Sequence, residues 1–296
     1  MTPRDRGFLL LTQQLGDPAR KPLTTAQFRE LTLLARAMER PEGGSRALTL
    51  EDLISIGCDF LTGEQILSLL SQEALLDGYL SRGTAVDCRP LTRLSPAYPH
   101  SLREKLGADS PGCLWYKGDP ALLSTPMVAL VGSRELHPDN YAFAREAGRQ
   151  AAFQGYTLVS GNARGADRTA QEAALEQGGV VISVVADALE RHPLKKNVLY
   201  ISEEGYDMPF TPQRALQRNR IIHSLGQKTF VAQCTLGKGG TWDGTCHNLQ
   251  KNWSPVFCFR DGSDASTELE QMGAVPIGTE ALSDLDALKP GICPLL

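Results

Sequence analysis

The sequence predicts an α/β protein in which a parallel sheet flanked by helices follows a small N-terminal helical domain. Two observations carry this. Helix-start signals recur through the first 85 residues, and from Met127 onward short apolar runs alternate with helical stretches. That alternation is the pattern of a parallel sheet covered on both faces. At roughly 150 residues per domain, 296 residues suit one large domain with a smaller companion. The helical domain is placed at 1–89, and the sheet domain, with a lead-in segment and a short tail, at 90–296.

In the helical part three spacings read as capping boxes, Thr24 with Gln27, Thr49 with Asp52 and Thr62 with Gln65. In each the hydroxyl satisfies an orphan N–H and the later side chain reaches back. After the first, Phe28, Leu31, Leu34, Ala35 and Met38 share one helical face, and the PEGGS stretch at 41–45 ends the helix. After the third, Ile66, Leu69 and Leu70 continue the pattern. These stripes read as faces packed on one another in a bundle from about residue 8 to 85, not as a cofactor box.

The strand runs are MVALVGS from Met127, YTLVSG from Tyr156, VVISVVAD from Val180, KTFVAQC from Lys228 and PVFCFRD from Pro255. Helices are expected between and after them at 141–154, 166–177, 215–225, 241–252 and 265–272. Residues 90–126, rich in proline and aromatics, read as a lead-in strapped against the sheet, and the tail from Pro276 leaves no room for another domain. The whole is Rossmann-like.

Composition excludes several classes. Hydrophobic residues at 42% and charged residues at 22% are an ordinary globular balance, not a disordered one. The apolar run from Phe8 to Leu11 is far short of the roughly 20 residues of a membrane span, and no signal-peptide pattern surrounds it, so a cytoplasmic protein is expected. Seven cysteines contain no C-x-x-C pair and read as small buried hydrophobes, not as a disulfide framework or zinc site. His100, His137, His192, His223 and His247 show no metal-ligand spacing, and neither a G-x-S-x-G elbow nor a Walker A loop occurs. No catalytic residue, metal or cofactor is therefore expected. The formal net charge of -4 requires any phosphate-binding surface to be local.

Ligands of an open parallel sheet bind beyond the carboxyl ends of its strands. Three strand ends carry unusual loops: Gly132-Ser133-Arg134; the SGNARGAD loop with Ser160, Gly161, Arg164, Gly165 and Asp167; and the GKGGTW loop with Lys238, Gly239, Gly240 and Thr241. Exposed N–H groups at helix starts, with the helix dipole, make anion sites. Asp167, at a helix start, can cap backbone donors or orient Arg164, and is not read as an acid. Arg218-Asn219-Arg220 lies on an expected helix and offers planar forks for phosphate oxygens. Two roles are open to Trp242: stacking on a base, or packing its helix onto the sheet.

Taken in order and at these separations, YPHSLREKL, LWYKGDP, VALVGSR, SGNARGADRTAQEAAL and QRNRIIHSL resemble the DNA-processing protein A (DprA/Smf) family from about Tyr98 to Arg260. The resemblance implies a Rossmann-like fold, single-stranded DNA bound in a basic pocket, protection of that DNA, loading of the RecA recombinase in natural transformation, and a homodimer. By position Arg134, Ser160, Gly161, Gly165, Asp167, Arg218 and Arg220 match the family's pocket pattern. Gln171 stands where the best-known members have histidine, and GKGGTW replaces their serine-glycine-serine loop, which is similar to a divergent subgroup. The segment between Asp187 and Glu203 looks short, and the winged-helix tail of some relatives is expected to be absent.

Two other readings stand beside this one. The same loops could serve a nucleotide sensor, and GGTWDGT is similar to the loop of a phosphoribohydrolase group, with Asp243 in place of its glutamate. What separates binder from sensor is whether Arg134, Arg164, Arg218, Arg220 and Lys238 line a groove for several phosphates or a closed pocket for one or two.

Overall fold

The computed structural model describes residues 1–36 and 47–291; Met38, the PEGGS stretch and Cys293 lie outside the described residues. The chain divides into two compact units, Met1–Val86 and Asp87–Leu296.

The first unit holds α1 (Pro3–Thr12), α2 (Thr25–Arg36), α3 (Leu50–Ser55), α4 (Phe60–Leu70) and α5 (Glu73–Ala85). Two expected capping boxes form, at Thr24 with Gln27 and at Thr49 with Asp52. The third does not. Helix α4 begins two residues before Thr62, and the Asp59 carboxylate takes the N-cap, accepting from the Thr62 N–H at 3.0 Å. A further box, Thr2 with Asp5, starts α1. Leu23, Leu53, Ile66 and Leu69 make the core, with Phe28, Leu31 and Leu34 packed against it, whereas Ala35 is exposed. Buried Arg20 ties the chain together by donating to the Gln72 side chain and to the carbonyls of Leu10 and Gln13.

The second unit is built on one nine-stranded sheet in the order β1-β2-β6-β5-β4-β3-β7-β8-β9. Its strands are β1 (Arg89–Thr92), β2 (Cys113–Lys117), β3 (Met127–Val131), β4 (Thr157–Ser160), β5 (Val181–Val184), β6 (Val198–Ser202), β7 (Thr229–Val231), β8 (Val256–Phe259) and β9 (Val275–Ile277). The seven from β3 to β9 run parallel, while β1 and β2 join antiparallel, with Lys117 opposite Tyr200. The lead-in is therefore not a strap: it supplies β1, β2 and α6 (His100–Leu106), and extends the sheet past β6.

Alternation along the strands feeds two cores. Ala129 and Val131 of β3 face α6, α10 (Asn219–Leu225), α11 (Gly239–Lys251) and α12 (Asp264–Gln271), whose Leu102, Ile221, Trp242 and Leu269 fill that side. Val128 and Leu130 face α7 (Pro138–Phe153) and α8 (Ala166–Glu176) through Phe143, Ala147, Ala170 and Ala174. Trp242 thus packs its helix onto the sheet. The helix expected at 215–225 is two: α9 (Pro212–Gln217), capped by Thr211, then α10, with Arg218 at the break. At that residue the Arg218 carbonyl accepts from both the Ile221 and the Ile222 N–H, a local 3-10 tightening.

One connection departs from the doubly wound plan. Residues 185–197, between β5 and β6, hold only a 3-10 turn at Leu189–Arg191 where a helix would cover the sheet. Leu199 and Ile201 still enter the core beneath α6 and α10, but Val198 and Tyr200, which alternate with them, line an open cleft.

Behind the site lies a buried polar knot. His223 of α10 is 0% exposed, and its Nδ1 accepts from the Asn248 amide at 3.2 Å, while the Asn248 oxygen accepts from the Ser254 N–H. Nε2 therefore carries the proton and has no acceptor. Burial drives the imidazole down to about 3. An imidazole that stays neutral when folded but takes a proton near pH 6.5 when unfolded adds stability above pH 6.5 that is lost as pH falls toward 3. Urea unfolding should show about 2 kcal/mol of His223-dependent loss between pH 8 and pH 5, absent from His223→Gln. Parallel pH profiles for the two proteins would contradict it.

Candidate functional site

At the carboxyl edge of the sheet the loops after β3 and β4 are stitched together through backbone. The Ala166 N–H donates to the Ser133 carbonyl at 3.1 Å, and Ser133 N–H donates to the Gln233 carbonyl at 2.9 Å. Gly165 has φ of +83°, and a β-carbon there would overlap the carbonyls of Ser133 and Arg134, so glycine is required twice over. This stitching uses donors that were expected to face an anion. Ala163 N–H is also taken, by the Asp167 carboxylate at 3.2 Å. Nor does the Gly132-Ser133-Arg134 loop run straight into a helix, since α7 begins at Pro138. The helix start that faces open space is that of α11, where Lys238, Gly239, Gly240 and Thr241 line a cleft of about 500 Å³.

Arg218 forms the floor. Its side chain is 11% exposed, donates to the Val184 carbonyl at 2.6 Å and lies 3.9 Å from the Asp167 carboxylate. A β-carbon on Gly161 would strike the guanidinium, so Gly161 makes the seat. Burial pushes the Asp167 carboxyl up and Arg218 opposes it; burial lowers Arg218 in turn. Asp167 thus orients Arg218. Arg164 is held instead by Glu135, at 2.9 Å on the surface. The fully buried Ser160 faces the same carboxylate.

Two clefts open from this floor. The first, about 760 Å³, runs between α8 and the 185–197 connection and is lined by Arg134, Arg164, Arg168, Lys195 and Arg218 against the carboxylates Glu172 and Asp187. The second holds Gly132, Ser133, Asn219 and the α11 start, and Asn219 fixes the glycine loop by donating to the Gly240 carbonyl at 2.8 Å. Arg134, Phe210 and Arg218 line both, which makes one groove of the two. Arg220 is not brought to it: it is paired with the half-buried Glu203 and lines neither cleft. Burial lifts Glu203 to about 7 although Arg220 opposes the shift.

Four contributors escaped sequence reasoning. Arg168 lies in the first turn of α8, and Lys195 sits in the connection that looked merely short. Phe210, 51% exposed, stands where the two clefts meet. It is held there by Arg214, a buried arginine that donates to the carbonyls of Ala186, Met208 and Pro209 and pairs with Glu204 at 2.9 Å. An exposed aromatic two residues before a Pro-started helix was the available signal for Phe210. Among the described residues no group of three or more His, Cys, Asp or Glu is placed to hold a metal. None of their helices is long and apolar enough to cross a membrane.

A cleft lined by cationic side chains over a buried arginine, at the carboxyl edge of a mostly parallel sheet flanked by helices, places the protein in the Rossmann-like α/β class. The chain belongs to the DNA recombination-mediator protein A family, whose model matches residues 89–281, including the β1–β2 extension. It is 32% identical over 210 residues to DNA processing protein DprA of Streptococcus pneumoniae, covering 65% of this chain and 73% of that protein. Protein Smf of Escherichia coli matches at 32% over 200 residues, 62% of this chain and 53% of its own length. The crystal structure of the Streptococcus pneumoniae DprA superposes with a TM-score of 0.72 at 25% identity, covering 95% of this chain and 97% of that one. DNA processing protein A of Helicobacter pylori, solved for its single-stranded DNA binding mode, gives 0.56 at 25% identity, with 66% and 94% coverage.

Proposed function

We propose that this chain binds single-stranded DNA along the groove and acts there as a recombination mediator, protecting the strand, rather than as an enzyme. The observation that carries the reading is continuity. Arg164, Arg168 and Lys195 on one side and Lys238 on the other open onto a shared centre at Arg134 and Arg218. Cations spaced along a groove suit a polyanion, whose affinity comes from several neutralised phosphates, better than a nucleotide with one or two. Phe210, exposed at the junction, offers a face on which any base stacks. The hydrolase alternative loses its acid, because Asp243 is exposed on α11 and lines neither cleft. Delivery of the strand to RecA, a homodimeric state and action in the cytoplasm complete the proposal on family grounds.

The test is fluorescence anisotropy of labelled oligo-dT across a salt series, with duplex DNA as control. The log-log slope should be near -0.7 per phosphate contact, and an Arg134→Ala, Lys238→Ala double variant should flatten it by about 1.4. A folded protein that binds no single strand at low salt would overturn the reading and leave the nucleotide sensor to calorimetry.

A further inference from the structure

The groove does not end at the carboxyl edge. Because no helix follows β5, the first cleft runs between α8 and the 192–198 loop to Lys195 and Val198 at the start of β6, its floor closed by Val198 and by Tyr200, on which His192 stacks. Both residues also line a third cleft of about 600 Å³ at the opposite, amino edge of β6. Gly118, at the end of β2, packs so close to the Val198 carbonyl that a β-carbon would not fit, which fixes this cleft against the β2–β6 pair. Arg89 and Lys196, both exposed, stand in its wall. Of its two carboxylates Asp119 is engaged, capping the Ala121 N–H at 2.9 Å. The floor joining the two edges is five residues of β6, about 16 Å at the usual strand rise.

We infer that the bound single strand runs from the Arg218 floor through the cleft between α8 and the 192–198 loop and leaves over Lys195 to a second phosphate-binding patch at Arg89 and Lys196. This rests on the single-stranded DNA reading above. It commits the strand to one direction out of the groove and gives the site a length. A strand too short to pass Lys195 meets only the arginine floor; a longer one gains the additional contacts.

The experiment compares salt slopes for labelled dT5 and dT20 on the wild-type protein and on an Arg89→Gln, Lys196→Gln variant, with circular dichroism to show that the variant is folded. Wild type should give a steeper slope for dT20. The variant should lose about 1.4 from the dT20 slope, two contacts at about 0.7 each, and keep the dT5 slope. Equal wild-type slopes for both lengths, or a dT20 slope untouched by the variant, overturn the path alone. A wild-type protein that binds neither oligonucleotide removes the single-strand reading and this path together.

Discussion

Arg218→Ala is expected to cost about 3 kcal/mol of folding stability and to abolish single-strand binding in the same step, the largest combined effect of any groove substitution. Removing one partner of a buried pair leaves the other as an uncompensated charge, which costs about 3–5 kcal/mol. The lower end applies because Asp167 keeps its bond from Ala163 N–H and the pair is separated by 3.9 Å. Urea unfolding measures the first effect and anisotropy the second. Arg218→Ala with Asp167→Asn separates them: the double variant should regain most of the lost stability while still failing to bind. If Arg218→Ala unfolds within about 1 kcal/mol of wild type, the pair is solvated and the floor is not the anchor described above.

The second large effect is expected on the far side of α8 from the first cleft. Gly148 lies where α7 crosses α8, and a β-carbon there would overlap the backbone carbonyl of Ala170. Neither helix can yield at that point, because Phe143, Ala144, Ala147 and Ala151 on one and Ala170 and Ala174 on the other are fully packed. Gly148→Ala should therefore cost about 3 kcal/mol, the upper range for overpacking, despite removing a helix-interior glycine. Gly78→Ala in α5 is the matched control. Its β-carbon would meet nothing nearer than the flexible end of Arg82 at 3.5 Å, so the helix propensity gain of about 0.5–1 kcal/mol should appear with the opposite sign. Thermal unfolding of the two variants reads the contrast; a Gly148→Ala protein as stable as wild type would mean that the crossing relaxes.

The sequence carried the parallel core of the fold because β3, β4, β5, β7 and β8 are short apolar runs between turn signals. It did not show β9, whose Pro276 lacks a ladder donor and is tolerated at the sheet's edge. Nor did it show β6: the run from Val198 to Ile201 has the composition of a buried strand, but no helix precedes it to complete the expected rhythm. At the candidate site, Arg134, Gly161, Gly165 and Asp167 could be read from loop chemistry, since each sits where a strand ends or a helix begins, whereas Arg218 was read from an expected helix and from the family resemblance. Arg220 could not be told from Arg218, because two positions along a helix turn a side chain to another face. Its partner Glu203 lies 17 residues away in sequence. The pairing of Asp167 with Arg218 is likewise a tertiary fact, and Arg164 was nearer in sequence to Asp167.

The position of β6 beneath the first cleft has a mechanical consequence. A floor made by an interior strand, hydrogen-bonded to β2 on one side and β5 on the other, cannot reshape itself around its cargo as a loop or lid would. Along that floor the bending is left to whatever enters, and the ordering entropy of that bending falls on the entering chain. Such a channel favours limp polymers over stiff ones before any chemical recognition begins, and mechanical compliance becomes a criterion of selection in its own right.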